Sequence, residues 1–214
     1  MLSVQFFTFN AFQENSYIIF GANGEAIIID PGCNSTVENN TLLHFVTKHN
    51  LKVIQLINTH CHLDHILGND LVASTYGLEL FLHPNEEQML ILSPQAAKMY
   101  GIQLTAYKGA LHFLKGGDVV NLGGETLKVL DAPGHSPGSI CLYSQANKFI
   151  IAGDVLFRES IGRTDLPGGN HQALLTSIRE QLFILPEEVV VYPGHGPSTT
   201  IGHEKKYNPF LQNN

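Results

Sequence analysis

The apolar positions along the chain fall into two alternating patterns: short runs of β-branched and aromatic residues, and longer stretches with apolar residues at helical spacing. Val4 to Phe9 and Tyr17 to Phe20 predict two strands, paired as a hairpin across Asn10-Ala11-Phe12-Gln13-Glu14-Asn15. Ala26-Ile27-Ile28-Ile29 is a fully apolar strand that Asp30-Pro31-Gly32 stops and turns. Ser35 or Thr36 caps a helix carrying Val37, Leu42, Leu43, Phe45 and Val46, which ends near Asn50. Leu51 to Asn58 predicts a buried strand, Gly68 to Tyr76 a helix closed by Gly77, and Glu79 to Leu82 a short strand. Pro84 opens a further helix with Glu86 and Glu87 in its first turn, where the helix dipole favours carboxylates.

Beyond that helix, Leu111 to Leu114 and Asp118 to Val120 read as short strands around Gly116-Gly117, and Glu125 to Leu130 as another. Ser139 to Ser144 and Lys148 to Ala152 predict paired strands joined by Gln145-Ala146-Asn147. The Gly-rich stretch from Arg158 to Asn170 predicts a loop long enough to suggest a functional role. His171 to Phe183 puts Leu174, Leu175, Ile178 and Leu182 on one helix face. Val189 to Tyr192 is the last strand, and a closing helix runs from His203 to Asn208 before Pro209. Strand and helix alternate, which predicts an α/β layered architecture. No repeat, low-complexity tract or linker divides residues 1–214, so a single domain is expected.

Composition narrows the choices. A chain of 214 residues, 43% hydrophobic and 14% charged, can bury a large core and is not disordered. Twelve basic against 19 acidic residues give a net charge of −7, which argues against binding nucleic acid through its phosphates. Met1-Leu2-Ser3-Val4-Gln5-Phe6 has neither a basic n-region nor a long apolar h-region, and no stretch reaches membrane-spanning length. The expected address is the cytoplasm, with no membrane partner. Cys33, Cys61 and Cys141 are odd in number and lack C-x-x-C spacing, so they are expected to be reduced, buried and without a role in chemistry.

The chemistry concentrates at strand ends, where open α/β sheets present their sites. Thr59-His60-Cys61-His62-Leu63-Asp64-His65 follows an apolar strand and precedes Ile66, Leu67, Leu71 and Val72 at helical spacing. In an extended loop His60, His62 and Asp64 share one side, and Cys61 and Leu63 the other. Imidazole and carboxylate ligands suit zinc, iron or manganese. His135 is bracketed by Pro133-Gly134 and Pro137-Gly138, Asp154 follows Gly153 at a strand end, and His195 lies between Pro193-Gly194 and Gly196-Pro197. Such stiff, small-residue backbones fix a ligand on a loop. Asp30, at the end of a buried strand, either accepts bonds from turn amides or orients a metal ligand.

His60-x-His62-x-Asp64-His65, Pro-Gly-His135, Gly153-Asp154 and Gly194-His195, in this order, resemble the signature of the metallo-β-lactamase-fold hydrolases. Ala132-Pro133-Gly134-His135-Ser136-Pro137-Gly138 and Gly153-Asp154-Val155-Leu156-Phe157 are similar to the glyoxalase II-like branch, and His203 to Phe210 to its compact, single-domain members. The resemblance implies a four-layer αββα sandwich with two mixed sheets inside. It implies that His60, His62 and His135 hold one divalent metal and Asp64, His65 and His195 a second, with Asp154 bridging. Zinc is the first expectation, and iron or manganese would be accepted. Asp64 and Asp154 are the catalytic carboxylates of that set. A metal-bridging hydroxide would attack a thioester carbonyl, as in hydroxyacylglutathione hydrolases acting on S-lactoylglutathione.

Departures from the family bear on substrate. Full-length glyoxalase II continues into a helical domain that grips glutathione, whereas this sequence ends at Asn214. A basic residue that contacts glutathione is matched by Arg163, and two tyrosines by Asp165 and Pro197. Slow to moderate hydrolysis with weak substrate binding is therefore expected. Iron-dependent persulfide dioxygenases resemble the chain around Gly162-Arg163-Thr164-Asp165 and use one iron at His60, His135 and Asp154, but Gly196-Pro197-Ser198 looks like the hydrolase side. Several true β-lactamases carry a cysteine where Asp154 stands, which disfavours antibiotic hydrolysis. His44, His49, His83, His112, His171 and His203 match no ligand motif and are assigned to structure.

Overall fold

Strands β1 (Leu2–Phe9) and β2 (Glu14–Gly21) pair antiparallel from Leu2↔Gly21 to Phe9↔Glu14, as the hairpin pattern predicts. β2 pairs antiparallel with β3 (Glu25–Ile29), which runs parallel to β4 (Lys52–Ile57), then β5 (Leu80–Leu82) and β6 (Leu111–Phe113). The result is a six-stranded mixed sheet in chain order. Its strands are parallel where a helix forms the crossover. Helix α1 (Thr36–Lys48) starts with Ser35, whose hydroxyl accepts from the Glu38 amide while Glu38 accepts from the Ser35 amide. Leu42 and Val46 of α1, Val72 and Ala73 of α3 (Asn69–Tyr76) and Leu90 of α4 (Glu87–Tyr100) bury against Ile18, Ile28, Leu56 and Leu80. Gly77 closes α3 at φ +66°, a conformation that a side chain at that position would disfavour.

The computed structural model describes residues 1–212. These gather into two compact units, Met1–Leu114 with Asn121–Glu125, and Lys115–Val120 with the chain from Thr126 onward. The second unit is built on a sheet in the order β14-β13-β10-β9-β8-β7. Its members are β7 (Val119–Leu122) and β8 (Glu125–Asp131), of which Asn121–Leu122 and Glu125 are counted with the first unit, β9 (Ile140–Ser144), β10 (Phe149–Gly153), β13 (Val190–Pro193) and β14 (Thr199–Thr200). β9 and β10 are antiparallel and buried throughout, and β10 and β13 run parallel. Leu174 of α5 (His171–Ser177) and Ile201 of α6 (Ile201–Tyr207) pack with Cys141, Ile150 and Val191. No helix among the described residues is long and apolar enough to cross a membrane.

Three expectations are revised. The helix predicted over His171 to Phe183 is α-helical only to Ser177, and Ile178–Leu182 form a wider i→i+5 turn. A wider turn rotates each residue less, so Leu182 returns to the line of Leu174 and Ile178, and all three are fully buried. The stretch Arg158 to Asn170 begins inside a hairpin of β11 (Leu156–Phe157) and β12 (Ser160–Ile161), too short to carry a periodic signal. The extended loop expected through Asp64 ends at His62, the N-cap of a one-turn helix α2 (Leu63–Ile66) that holds Asp64 and His65.

Candidate metal-binding residues

In the first unit, β4 delivers Asn58, Thr59 and His60 into a turn where His60 and His65 are fully buried. Their ring centroids lie 4.1 Å apart, and the His62 ring stands edge-on to His60 at 4.8 Å. Asp30 ends β3 with φ +48°, a left-handed backbone that short polar residues tolerate. Its carboxylate accepts from the Thr59 amide at 2.7 Å, the Thr59 hydroxyl at 2.6 Å and Asn58 Nδ2 at 3.4 Å, and it lies 3.2 Å from His65 Nδ1. The two roles considered for Asp30 are thus one: it takes turn donors and orients a histidine.

A tautomer assignment follows from counting protons. Thr59 has one hydroxyl proton and donates it to Asp30, so its 3.1 Å contact with His60 Nδ1 requires His60 Nδ1–H to donate to Thr59 Oγ1. His65 Nδ1–H likewise donates to Asp30. Both rings then present the Nε2 lone pair, the form a cation binds.

Further supports come from residues that the sequence pattern leaves in turns or caps. Asn10 Nδ2 donates to the carbonyls of Gly32 and Asp64, both at 3.0 Å, so the tip of the first hairpin holds the turn of α2. Glu86, fully buried, accepts from the Cys61 amide at 2.8 Å. Glu14 is also fully buried, and burial pushes its carboxyl well above the ordinary range, with His65 opposing. Ser16 Oγ donates to Glu14 and accepts from the Gly32 amide, each at 2.8 Å. Alternation along the hairpin could not have singled out Glu14 and Ser16, because every residue from Glu14 to Ile19 is buried, on both faces of β2.

In the second unit, His135 is 2% exposed and its Nδ1 donates to the Arg163 carbonyl at 2.7 Å, again leaving the Nε2 lone pair open to a cation. Gly134 has φ +138°, and a Cβ there would lie 2.3 Å from the Leu174 amide nitrogen, so the loop closes on α5 only with glycine. Asp154 and His195 follow the carboxyl ends of the parallel neighbours β10 and β13, tied by the Gly194 amide donating to the Gly153 carbonyl at 2.8 Å. Asp154 Oδ2 lies 3.4 Å from His135 Nε2 and 3.5 Å from His195 Nε2. In the first unit His65 Nε2 and Asp64 Oδ2 are 3.6 Å apart. Tetrahedral ligands with bonds of about 2.0–2.1 Å are separated by about 3.4 Å, so these donor pairs fit the edges of such a cation's shell. Arg163 forms a bidentate pair with Asp165, Nε to Oδ1 at 2.7 Å and Nη2 to Oδ2 at 2.8 Å. That hydrogen bonding holds the Asp165 carboxyl at about 2.

Four of the six other histidines take structural contacts. His49 lies against the Phe45 ring at 4.3 Å, His112 pairs with Glu79, and His203 Nε2 is 3.0 Å from Glu159. His83 Nδ1 accepts from the Asn85 amide at the cap of the turn opened by Pro84. All three cysteines are free and buried. Burial pushes the Cys33 thiol up to about 12 and those of Cys61 and Cys141 upward as well. Folded protein at pH 8 is expected to give no prompt reaction with a disulfide reagent, and unfolded protein to titrate three thiols. Cys61→Ser is expected to hold turnover within about three-fold, given its place in the core. Rapid modification of the folded chain, or a collapse of activity with metal retained, would contradict this.

The sequence profile of the metallo-beta-lactamase superfamily matches residues 9–195, a span holding every ligand residue above. A Bacillus subtilis (strain 168) protein named "Probable metallo-hydrolase YqgX" is 39% identical over 201 residues, 93% of this chain and 92% of that protein. "Hydroxyacylglutathione hydrolase GloC" of Haemophilus influenzae is 34% identical over 212 residues, 98% of each chain. Among solved structures, the BLEG-1 B3 metallo-beta-lactamase aligns with TM-score 0.90 and 37% identity, covering 99% of this chain and 100% of that one. TTHA1623 in a di-iron-bound form aligns with TM-score 0.87 and 34% identity, covering 97% and 100%. Likeness of this extent, over the span that carries the histidines and aspartates, decides the family: the chain belongs to the metallo-β-lactamase superfamily and has its fold.

Proposed function

We propose that the chain is a thioester hydrolase for hydroxyacyl-glutathione substrates such as S-lactoylglutathione, working with a pair of divalent cations. His60, His62 and His135 would hold one cation, Asp64, His65 and His195 the other, and Asp154 would be shared. The observation that carries this reading is the donor spacing: 3.4, 3.5 and 3.6 Å edges between the Nε2 atoms of His135, His195 and His65 and carboxylate oxygens, with the Nδ1 protons of His135 and His65 already engaged. Cations bound there supply Lewis-acid activation of water and of the acyl carbonyl. The chain's own residues hold the ligands in one tautomer: Asp30 and Thr59 for His65 and His60, the Arg163 carbonyl for His135. In the overall reaction the water oxygen joins the acyl carbon and the C–S electron pair goes to sulfur. The two water protons go to the thiol product and to solvent. A thiolate leaves readily, so the chemistry calls for no acid beyond the ligand set. Likeness to GloC supports the substrate class, and likeness to the di-iron TTHA1623 supports a pair of metals.

Protein purified with zinc, iron or manganese in supply is expected to carry about two ions per chain and to hydrolyse S-lactoylglutathione with a high KM. Chelation should abolish turnover and added metal restore it, and Asp154→Ala should lower content at both positions. Oxygen uptake with glutathione persulfide by protein holding a single iron would establish the dioxygenase instead. The BLEG-1 likeness motivates a third arm, a chromogenic cephalosporin: faster turnover of it than of any thioester would overturn the thioesterase reading.

A further inference from the structure

A cleft of about 350 Å³, lined by Phe157, Arg158, Glu159, His195, Gly196 and Pro197, opens within the second unit beside one of the ligand histidines. That is the lower end of the range for small-molecule sites, about 300–1,000 Å³. The tip of the β11–β12 hairpin, Arg158-Glu159, forms one wall. Glu159 adopts φ +57°, a strained backbone for a residue with a long side chain. The strain is held by α6 and its cap: the Glu159 amide donates to Glu204 at 2.9 Å, and the Glu159 carboxylate meets His203 Nε2 at 3.0 Å. Glu204 is itself fully buried and accepts from Thr199 Oγ1 and Asn208 Nδ2. The acid at the tip is therefore paired away, while Arg158 has no hydrogen-bond or ion-pair partner among the described residues. Phe157 stands edge-on to the His195 ring at 6.2 Å, and with Pro197 it makes the cleft's apolar surface. By contrast, the Arg163 guanidinium is already engaged by both oxygens of Asp165.

We propose that this cleft is an anion subsite, in which Arg158 pairs with a carboxylate on the substrate while Phe157 and Pro197 cover the short apolar segment joining it to the reacting carbonyl. The inference rests on the thioesterase reading for the role of that carbonyl. The binding of the anion stands on the cleft alone. A planar guanidinium without a competing partner, at the edge of an apolar surface, recognises carboxylates bidentately. The carboxylate can belong to the thiol half or to the acyl half of the substrate, and the two are separable.

The test compares four thioesters on metal-loaded protein: S-acetyl-3-mercaptopropionate, its carboxamide, S-succinyl-N-acetylcysteamine and S-acetylcysteamine. The expected result is a kcat/KM preference for a carboxylate over the carboxamide that falls about ten-fold or more in Arg158→Gln, chiefly through KM. Arg158→Glu should invert it toward S-acetylcysteamine, which carries an ammonium. Whichever carboxylate thioester loses most identifies the half that enters the cleft. A second readout needs no turnover: 3-(methylthio)propionate should shift the amide resonances of Phe157 and Gly196 in the wild type and not in Arg158→Gln, and its amide in neither. If thioesters turn over but neither readout depends on Arg158, the subsite is refuted. If no thioester turns over yet 3-(methylthio)propionate binds through Arg158, the hydrolase reading fails and the subsite remains.

Discussion

Asp30→Asn is expected to lower metal affinity by about 10–100-fold, the range for losing a partner that orients a metal-bound histidine, while the fold is kept. Asn tolerates the left-handed backbone at φ +48° and has the same shape, so the β3 turn survives. What changes is the donor pattern. Asp30 accepts two bonds from Thr59 and one from His65, and an amide offers one acceptor oxygen and one donor nitrogen. Asp30 Oδ2 serves both the Thr59 hydroxyl and His65 Nδ1, and Oδ1 accepts from the Thr59 amide and Asn58 Nδ2. With the new NH2 in the Oδ2 position, Thr59 reverses so that His60 Nδ1 loses its acceptor, and the His65 proton moves to Nε2 and blocks the lone pair. With it in the Oδ1 position, the NH2 meets the Thr59 amide donor against donor and displaces the turn that carries His60. Thr59→Val disturbs the His60 branch alone and should cost less. Titration against a competing chelator, with circular dichroism to follow the fold, measures both, and an Asp30→Asn affinity within two-fold of wild type would falsify the tautomer assignment.

Gly162→Ala should be as damaging from the other direction, by displacing backbone. A Cβ on Gly162 would sit 1.9 Å from the Asp154 carbonyl oxygen and 3.1 Å from His135 Cβ. Main-chain atoms cannot rotate out of the way, so the strand end carrying Asp154 must shift. Misplacing a reacting or ligating group by about 1 Å costs about 100-fold in rate, and overpacking of this kind costs about 1–3 kcal/mol in stability. Gly77→Ala is the control. It meets no neighbour within 4 Å, and its strain comes from φ +66° alone. It should cost about 1–2 kcal/mol and leave metal affinity as it was. Metal content and turnover are measured in both variants, and a Gly162→Ala protein with wild-type values would show that the β11–β12 hairpin can move without Asp154.

Much of this was written in local pattern. The apolar runs at β1 to β5 and β8 to β10, the Ser35 cap and the Gly77 stop are visible because strand and helix periodicity and capping act over a few residues. The candidate ligands are visible for the same reason: His135, Asp154 and His195 follow strands beside small, turn-forming residues, and His60 to His65 crowd together just after β4, in an order that identifies the family. Where a signal had fewer than three residues to repeat in, as in β11, β12 and β14, no period could form and the pattern read as loop.

What only the tertiary structure decided is which partner each polar side chain takes. Asp30 and Thr59 are 29 residues apart, Asn10 and Asp64 are 54, and Cys61 and Glu86 are 25, and no periodicity relates them. Glu86 as a helix-start carboxylate and Asn10 as a turn residue satisfy their local signals completely, and their distant bonds add no trace to the sequence. The same holds for Arg158 and Arg163, two arginines on one Gly-rich stretch. That Asp165 engages one and leaves the other facing a cleft depends on a two-residue hairpin and on α6 holding Glu159. Hydrophobic pattern is repeated along the chain and so survives in one dimension. Hydrogen-bond partnership is decided by proximity and desolvation, which exist only once the chain has folded.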